Sequence, residues 1–177
     1  MQTIPDLEIP EVKPAFELYR GTLRQKVSPR WTHARLQFAL ATILNAWAGN
    51  RGRVGTEWRF YFIERAGAPS SSLVPDVAYL SYERLAKHPQ EAAERPTIAP
   101  DIAIEIVSPD DRTVDVTEKV EMYLAYGTLF VIVVDPQTAS VAIYEPKREV
   151  RITSQDGSIA VVDDLRIDLE ALFSPDP

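Results

Sequence analysis

Asp101-Ile102-Ala103-Ile104-Glu105-Ile106-Val107-Ser108-Pro109 is an apolar run of strand length with one carboxylate near its middle. Its isoleucines and valine, and the proline that closes it, read as a strand buried on both faces. An ionised Glu105 in such a strand is costly unless a cation or hydrogen bonds offset it. A second apolar stretch, Leu73-Val74-Pro75-Asp76-Val77-Ala78-Tyr79-Leu80, carries Asp76 in a similar setting. Two carboxylates that face one space repel, and a divalent cation is the usual remedy. Lys119 follows on a helical pattern. Metal-assisted chemistry is therefore the leading expectation.

Working outward, residues 115–126 read as a helix with Val116, Val120, Tyr123 and Leu124 on one face. Asp115 with Glu118 has capping-box spacing, and Gly127 is the stop. Leu129–Asp135 is an apolar strand, so strand, helix and strand make a crossover unit. Val141–Tyr144 is the next strand. Short strands near Val150 and Ile159 and a segment over Leu165–Phe173 follow. Upstream, residues 16–23 form a hairpin turning near Gly21. Ser28-Pro29 reads as a cap and first helical position for a helix over 30–48, with Leu36, Leu40, Ile43, Leu44 and Trp47 as its buried stripe and Gly49-Asn50 as its end. Val54–Glu64 reads as one strand, residues 66–72 as a loop, and Glu83 marks a short helix. The predicted fold is α/β in the α+β sense: a mixed sheet flanked by helices, with additional hairpins. Residues 1–15, with Pro5, Pro10 and Pro14, read as an extended arm and 16–177 as a single domain.

Composition removes several classes. The chain has no cysteine, so disulfides, thiolate zinc sites and a cysteine nucleophile are out. No apolar run is long enough to span a membrane, and the first residues lack a signal-peptide pattern; a cytoplasmic location is expected. Seven glycines, none clustered, leave no phosphate loop, and no Gly-x-Ser-x-Gly elbow is present. Net charge is -7, which argues against a non-specific DNA coat. The charge is uneven: residues 1–65 hold ten Lys/Arg against six Asp/Glu, and the rest nine against twenty. Arg20, Arg24, Lys26 and Arg30, around the start of the first helix, are candidates for phosphate contact; a solvated face is the plainer explanation.

Each candidate has a plainer alternative. Pro-Asp at residues 75–76 is common in turns. Glu105 could be half of a buried ion pair. Lys119 could pair with Asp115 one turn back on the helix surface. His33 and Gln37 lie one turn apart at the edge of the first helix's apolar stripe, where a histidine is more often a satisfied boundary residue than a ligand.

The ordered set is more specific than its parts. Phe16-Glu17-Leu18-x-x-Gly21-x-Leu23, His33, Pro75-Asp76-Val77, Glu105-Ile106-Val107-Ser108-Pro109, Asp115-x-x-x-Lys119-x-x-x-Tyr123, Gly127 and Val133-Val134-Asp135-Pro136 together resemble the Uma-two family of the PD-(D/E)XK nuclease superfamily. The resemblance spans residues 16–173. It implies a restriction-endonuclease-like core, DNA as substrate and a magnesium (or manganese) site with Asp76 and Glu105 as ligands. It implies that Lys119 orients the attacking water or stabilises charge on the phosphate. Two residues after Glu105 stands Val107 where the superfamily pattern has lysine, and Lys119 on the next helix matches instead. The superfamily often adds a glutamate from the first helix. None occurs over 30–48, which leaves Glu17 or Glu57 as a substitute, or no third acid at all. His33, Gln37, Asp115 and Tyr123 are further accessory positions, and a homodimer is compatible with the family. The alternative is a non-catalytic nucleic-acid-binding or interaction protein that keeps the nuclease fold.

Overall fold

The structure, a computed structural model, describes residues 12–63, 69–86, 93–109, 111–154 and 157–174. Most of the predicted arm, residues 1–11, lies outside them. Among the described residues the chain forms twelve strands and four helices.

All five residues of β7 (Ile102–Ile106) are buried, because its sheet is covered on both faces. The sheet has six strands: β10 (Arg151–Ser154), β9 (Ser140–Tyr144), β8 (Phe130–Asp135), β7, β6 (Val77–Ser81) and β3 (Gly52–Thr56), in that spatial order. β7 and β8 run parallel, connected through α3 (Thr113–Ala125); every other pair is antiparallel. The two-residue period of a strand sorts β7. Ile102, Ile104 and Ile106 face a layer made of α1 (Trp31–Ala48), the hairpin of β11 (Ser158–Val162) with β12 (Leu165–Asp168), and α4 (Leu169–Phe173). Ala103 and, by the same period, Glu105 face α3 and a second sheet. That sheet runs β2 (Thr22–Gln25), β1 (Phe16–Tyr19), β5 (Pro69–Leu73) and β4 (Phe60–Ile63). α2 (Tyr82–Leu85) is a single turn after β6.

α1 follows its sequence pattern. Leu36, Leu40, Leu44 and Ala48 recur every four residues and are buried. Gly49, with φ of 53°, ends the helix, and its N–H bonds to Asn45 O, a conformation that glycine adopts at little cost. The start differs from expectation. The cap is Arg30, without a side-chain hydrogen bond, and Ser28-Pro29 precede the helix. The Lys26 backbone is tied to Ala15 O and its side chain to Asp76, and this anchoring overrides the local cap signal. α3 likewise starts at Thr113 behind Arg112, so Asp115 lies in its first turn rather than at its cap.

Two further expectations change. Residues 54–64 are not one strand: Glu57 takes φ of 51° and breaks the run, so that β3 and β4 belong to different sheets. The predicted loop over 66–72 contains β5, an inner strand of the smaller sheet. Ser71 and Ser72 are fully buried there. Ser71 Oγ accepts from Arg20 N, and Ser72 Oγ accepts from Arg59. Small hydroxyls satisfied in this way give no hydrophobic alternation to read.

Gly52 marks the tightest contact of the edge strand β3. A Cβ there would lie 2.5 Å from Leu80 O and 2.5 Å from a Tyr79 ring carbon. Gly52→Ala is expected to lower stability by about 1–3 kcal/mol, the range for overpacking. Urea denaturation of wild type and variant checks this; equal midpoints would contradict the packing.

Candidate active site

The site forms where the C-terminal end of β7, the start of β6 and strand β1 meet under α3. In the β6–β7 ladder Val77 pairs with Ile104; one step further along this register brings Asp76 beside Glu105. The Ile106 N–H donates to Asp76 Oδ2 at 2.7 Å. Glu105 is held from α3: Tyr123 OH donates to Oε1 at 2.8 Å, and Lys119 Nζ to Oε2 at 2.9 Å. Four residues separate Lys119 and Tyr123, which places them on one helix face. Lys119 also reaches Glu17 Oε2 at 2.9 Å. Glu17 is fixed in turn by Tyr19 OH and by Val74 N, each 2.8 Å away. All three carboxylates are buried.

A second group closes on Asp76. Lys26 Nζ donates to Asp76 Oδ1 at 2.7 Å, to Val74 O at 2.9 Å and to Glu57 Oε1 at 3.1 Å. His33 Nε2 lies 3.2 Å from Asp76 Oδ2, and its buried Nδ1 has no hydrogen-bond partner among the described residues. Gln37, one turn on, donates to Asp76 O and to Glu57. Two cavities adjoin here. One, of about 200 Å³, has Glu17, Glu105 and Lys119 in its wall; the other, of about 1050 Å³, is lined by Lys13, Glu57, Arg59 and Arg95. Lys26, His33 and Asp76 line both.

Burial would raise the Asp76 carboxyl, but Lys26 and His33 outweigh it and hold its pKa below the ordinary carboxylate range. Burial pushes Glu105 the other way, up to about 7; Lys119 opposes this, and the Asp76 and Glu17 charges add to it. Burial disfavours the Lys119 and Lys26 ammoniums, yet the carboxylates around them raise both pKa values. His33 is raised as well: Asp76 outweighs burial. At Lys26, Lys119 and His33 the neighbouring carboxylates favour the bound proton, and at Glu105 burial and the other carboxylates do; Asp76, flanked by Lys26 and His33, is the exception and stays ionised.

The structure thus brings together Asp76, Glu105, Lys119, Glu17, His33, Gln37, Glu57 and Tyr123. Asp115 stands at the rim and accepts from Arg112 and Arg24. Lys119 pairs with Glu105 and Glu17, not with Asp115. Of the four basic candidates, Arg24 lies over the Tyr19 ring and bridges Asp115 and Glu118, and Lys26 is part of the site itself. Arg20 and Arg30 are exposed and are not among the residues that line the two cavities. Sequence reasoning named Lys26 only as a candidate phosphate contact, not as a partner of Asp76, and did not single out Tyr19. The alternation Glu17-x-Tyr19 on a short strand is the signal that puts both on one face.

Among the described residues, no three His, Asp or Glu side chains form a ready-made ion cage. Magnesium does not require one: it is commonly held by one or two carboxylates, several waters and a substrate phosphate. Asp76 and Glu105, all-oxygen donors on one small cavity, fit that requirement.

The Uma2 family profile, described as "Putative restriction endonuclease", matches residues 3–174. Among solved structures, the chain is similar to "a putative nuclease belonging to DUF820" from Anabaena variabilis: 29% identity, 95% of this chain and 94% of that one covered, TM-score 0.84. None of the curated proteins compared with the chain matches it. No helix among the described residues is long and apolar enough to cross a membrane.

The raised Glu105 pKa has a stability consequence. The folded state holds this proton more tightly than the unfolded chain, whose value is 4.5. Stability therefore falls as pH rises from 4.5 to about 7. The raised His33 extends the fall above 6.5. The Glu105 share is at most roughly 3 kcal/mol. Without added metal, denaturant melts at pH 5, 6, 7 and 8 are expected to show this decline and Glu105→Gln to flatten it. Parallel profiles for the two proteins would contradict it.

Proposed function

The chain belongs to the Uma2 family, and on that premise we propose that it is a magnesium- or manganese-dependent endonuclease that hydrolyses phosphodiester bonds of DNA. One observation carries this reading. Asp76, the residue just before β6, and Glu105, in β7, lie side by side on one cavity, and the Lys119 ammonium is 2.9 Å from Glu105. Bound by these two carboxylates, the ion would supply a water of lowered pKa and polarise the scissile phosphate.

The protein's own groups do the rest. Tyr123 OH and the Ile106 N–H hold the two carboxylates in fixed orientations, so little reorganisation is needed at the moment of reaction. Lys119 is locked between Glu105 and Glu17 and points a compact charge at the same cavity. Such a charge suits a phosphate oxygen or the developing negative charge of hydrolysis. The larger cavity, with Lys13 and Arg95 in its wall, would take the flanking phosphates. The protein is acidic overall, so DNA binding must come from this local surface.

Cleavage of DNA should require magnesium or manganese. Asp76→Asn and Glu105→Gln should each slow it by at least about a hundredfold. The metal should also raise the melting temperature of wild type and not that of the double variant, because an ion that binds only the native state stabilises it. Cleavage retained by Glu105→Gln, or equal metal-induced shifts in both proteins, would refute the reading. DNA binding by wild type without any metal-dependent cleavage would instead favour the non-catalytic alternative.

Lys119→Met is expected to abolish cleavage and to destabilise the fold by about 3–5 kcal/mol, because two buried carboxylates lose their cation. Full activity in a folded Lys119→Met protein would remove Lys119 from the mechanism.

A further inference from the structure

Each of the two lysines in the site bridges two carboxylates. Lys119 joins Glu105 to Glu17, and Lys26 joins Asp76 to Glu57. Lys26 makes one contact more. Its three hydrogen bonds go to Asp76 Oδ1, Glu57 Oε1 and Val74 O, and an ammonium has three donors. Two carboxylates and a backbone carbonyl are the donor set that a hard cation selects. The Lys26 side chain is 11% exposed and lies on the wall common to both cavities. Its backbone N–H is tied to Ala15 O, so the ammonium is delivered from a fixed anchor.

The charges count the ions that the site can take. Glu17, Glu57, Asp76 and Glu105 are four carboxylates, and Lys26 and Lys119 are two ammoniums. Fully ionised and with His33 neutral, the group carries two net negative charges, which one divalent ion cancels; a proton on His33, which lies 3.2 Å from Asp76, would leave one. A second divalent ion would leave at least two positive charges beside the buried Asp76 and Glu105, at high cost. Two-metal sites hold their ions about 3.5–4 Å apart on shared carboxylates, and at Asp76 the Oδ1 position is already taken by Lys26 while Oδ2 faces the Ile106 N–H and His33.

We propose that Lys26 is a built-in substitute for a second metal ion. The site then takes one divalent cation between Asp76 and Glu105, while the Lys26 ammonium permanently holds the Asp76–Glu57–Val74 position and offers its charge to a phosphate in the larger cavity. This inference rests on the metal-dependent reading above and adds the number of ions and the residue that sets it.

The test counts manganese on the full chain by isothermal titration calorimetry and by the electron paramagnetic resonance signal of the free ion. Wild type is expected to bind one manganese. Lys26→Met keeps the apolar stem and removes the charge; it is expected to bind two, the first at least about tenfold tighter than in wild type. The same number of ions on both proteins, one or two, overturns the assignment of Lys26 and leaves the metal-dependent reading standing. No ion on either protein overturns both. Circular dichroism checks that Lys26→Met folds. If it does not, Glu57→Gln decides, since Glu57 is half-exposed: one ion with affinity within about threefold of wild type supports the proposal. A loss of tenfold or more would mean that the ion displaces Lys26 from Glu57, and overturns it.

Discussion

The structure is organised around the need to neutralise three buried carboxylates. Glu17, Asp76 and Glu105 come from β1, the turn before β6, and β7, and no two of them are close in sequence. Each would be prohibitively costly alone in a dry interior. They are tolerated because Lys26 and Lys119 stand between them, and because backbone N–H groups of Val74 and Ile106 and hydroxyls of Tyr19 and Tyr123 take up remaining lone pairs. This requires the hairpin, both sheets and α3 to meet within hydrogen-bond distance of one another. Apolar residues of similar volume would stabilise a fold at least as well as such an ionic group. The stability comes from the two apolar layers on either side of the six-stranded sheet. The ionic group is a cost that those layers offset, which is the usual condition of a functional site.

Legibility in the sequence followed periodicity. α1 and α3 announce themselves because Leu36, Leu40 and Leu44, and Val120 with Tyr123, repeat at helical spacing and are buried as that spacing demands. Glu105 is visible because it interrupts an apolar strand, and Lys119 because it stands at a fixed distance downstream of it. β5 is invisible because Ser71 and Ser72, two of its buried side chains, are satisfied by Arg59, Tyr126 and the Arg20 backbone, and a hydroxyl gives no hydrophobic signal. The break between β3 and β4 depends on Glu57 adopting a left-handed conformation. Neighbouring residues do not announce it, and Glu57 takes part in the Lys26 and Gln37 contacts that tertiary structure supplies. Lys26 is the hardest case. In sequence it is one cation among several near a helix start. Only the hairpin geometry, which places it across from Val74 and Asp76, turns it into a site residue.

The uneven charge of the chain has a physical origin in this same arrangement. The basic first third does not simply form a free surface for a polyanion. Arg24 is clamped by Asp115 and Glu118, Lys26 by Asp76 and Glu57, and both acceptor groups of Arg24 lie on α3 in the acidic remainder. The hairpin at the start of the chain therefore docks against α3 through complementary charge, and in doing so it carries Glu17 and Lys26 into place. Arg24 is about one-third exposed, so each of its pairs contributes little energy in water. Their effect is on register: they fix which residues of the hairpin face the cavity. On the proposed function, carboxylates gathered where a polyanionic substrate would bind need cations inserted among them before it arrives. Here the segment that brings those cations is held by the same electrostatics that would otherwise repel the substrate.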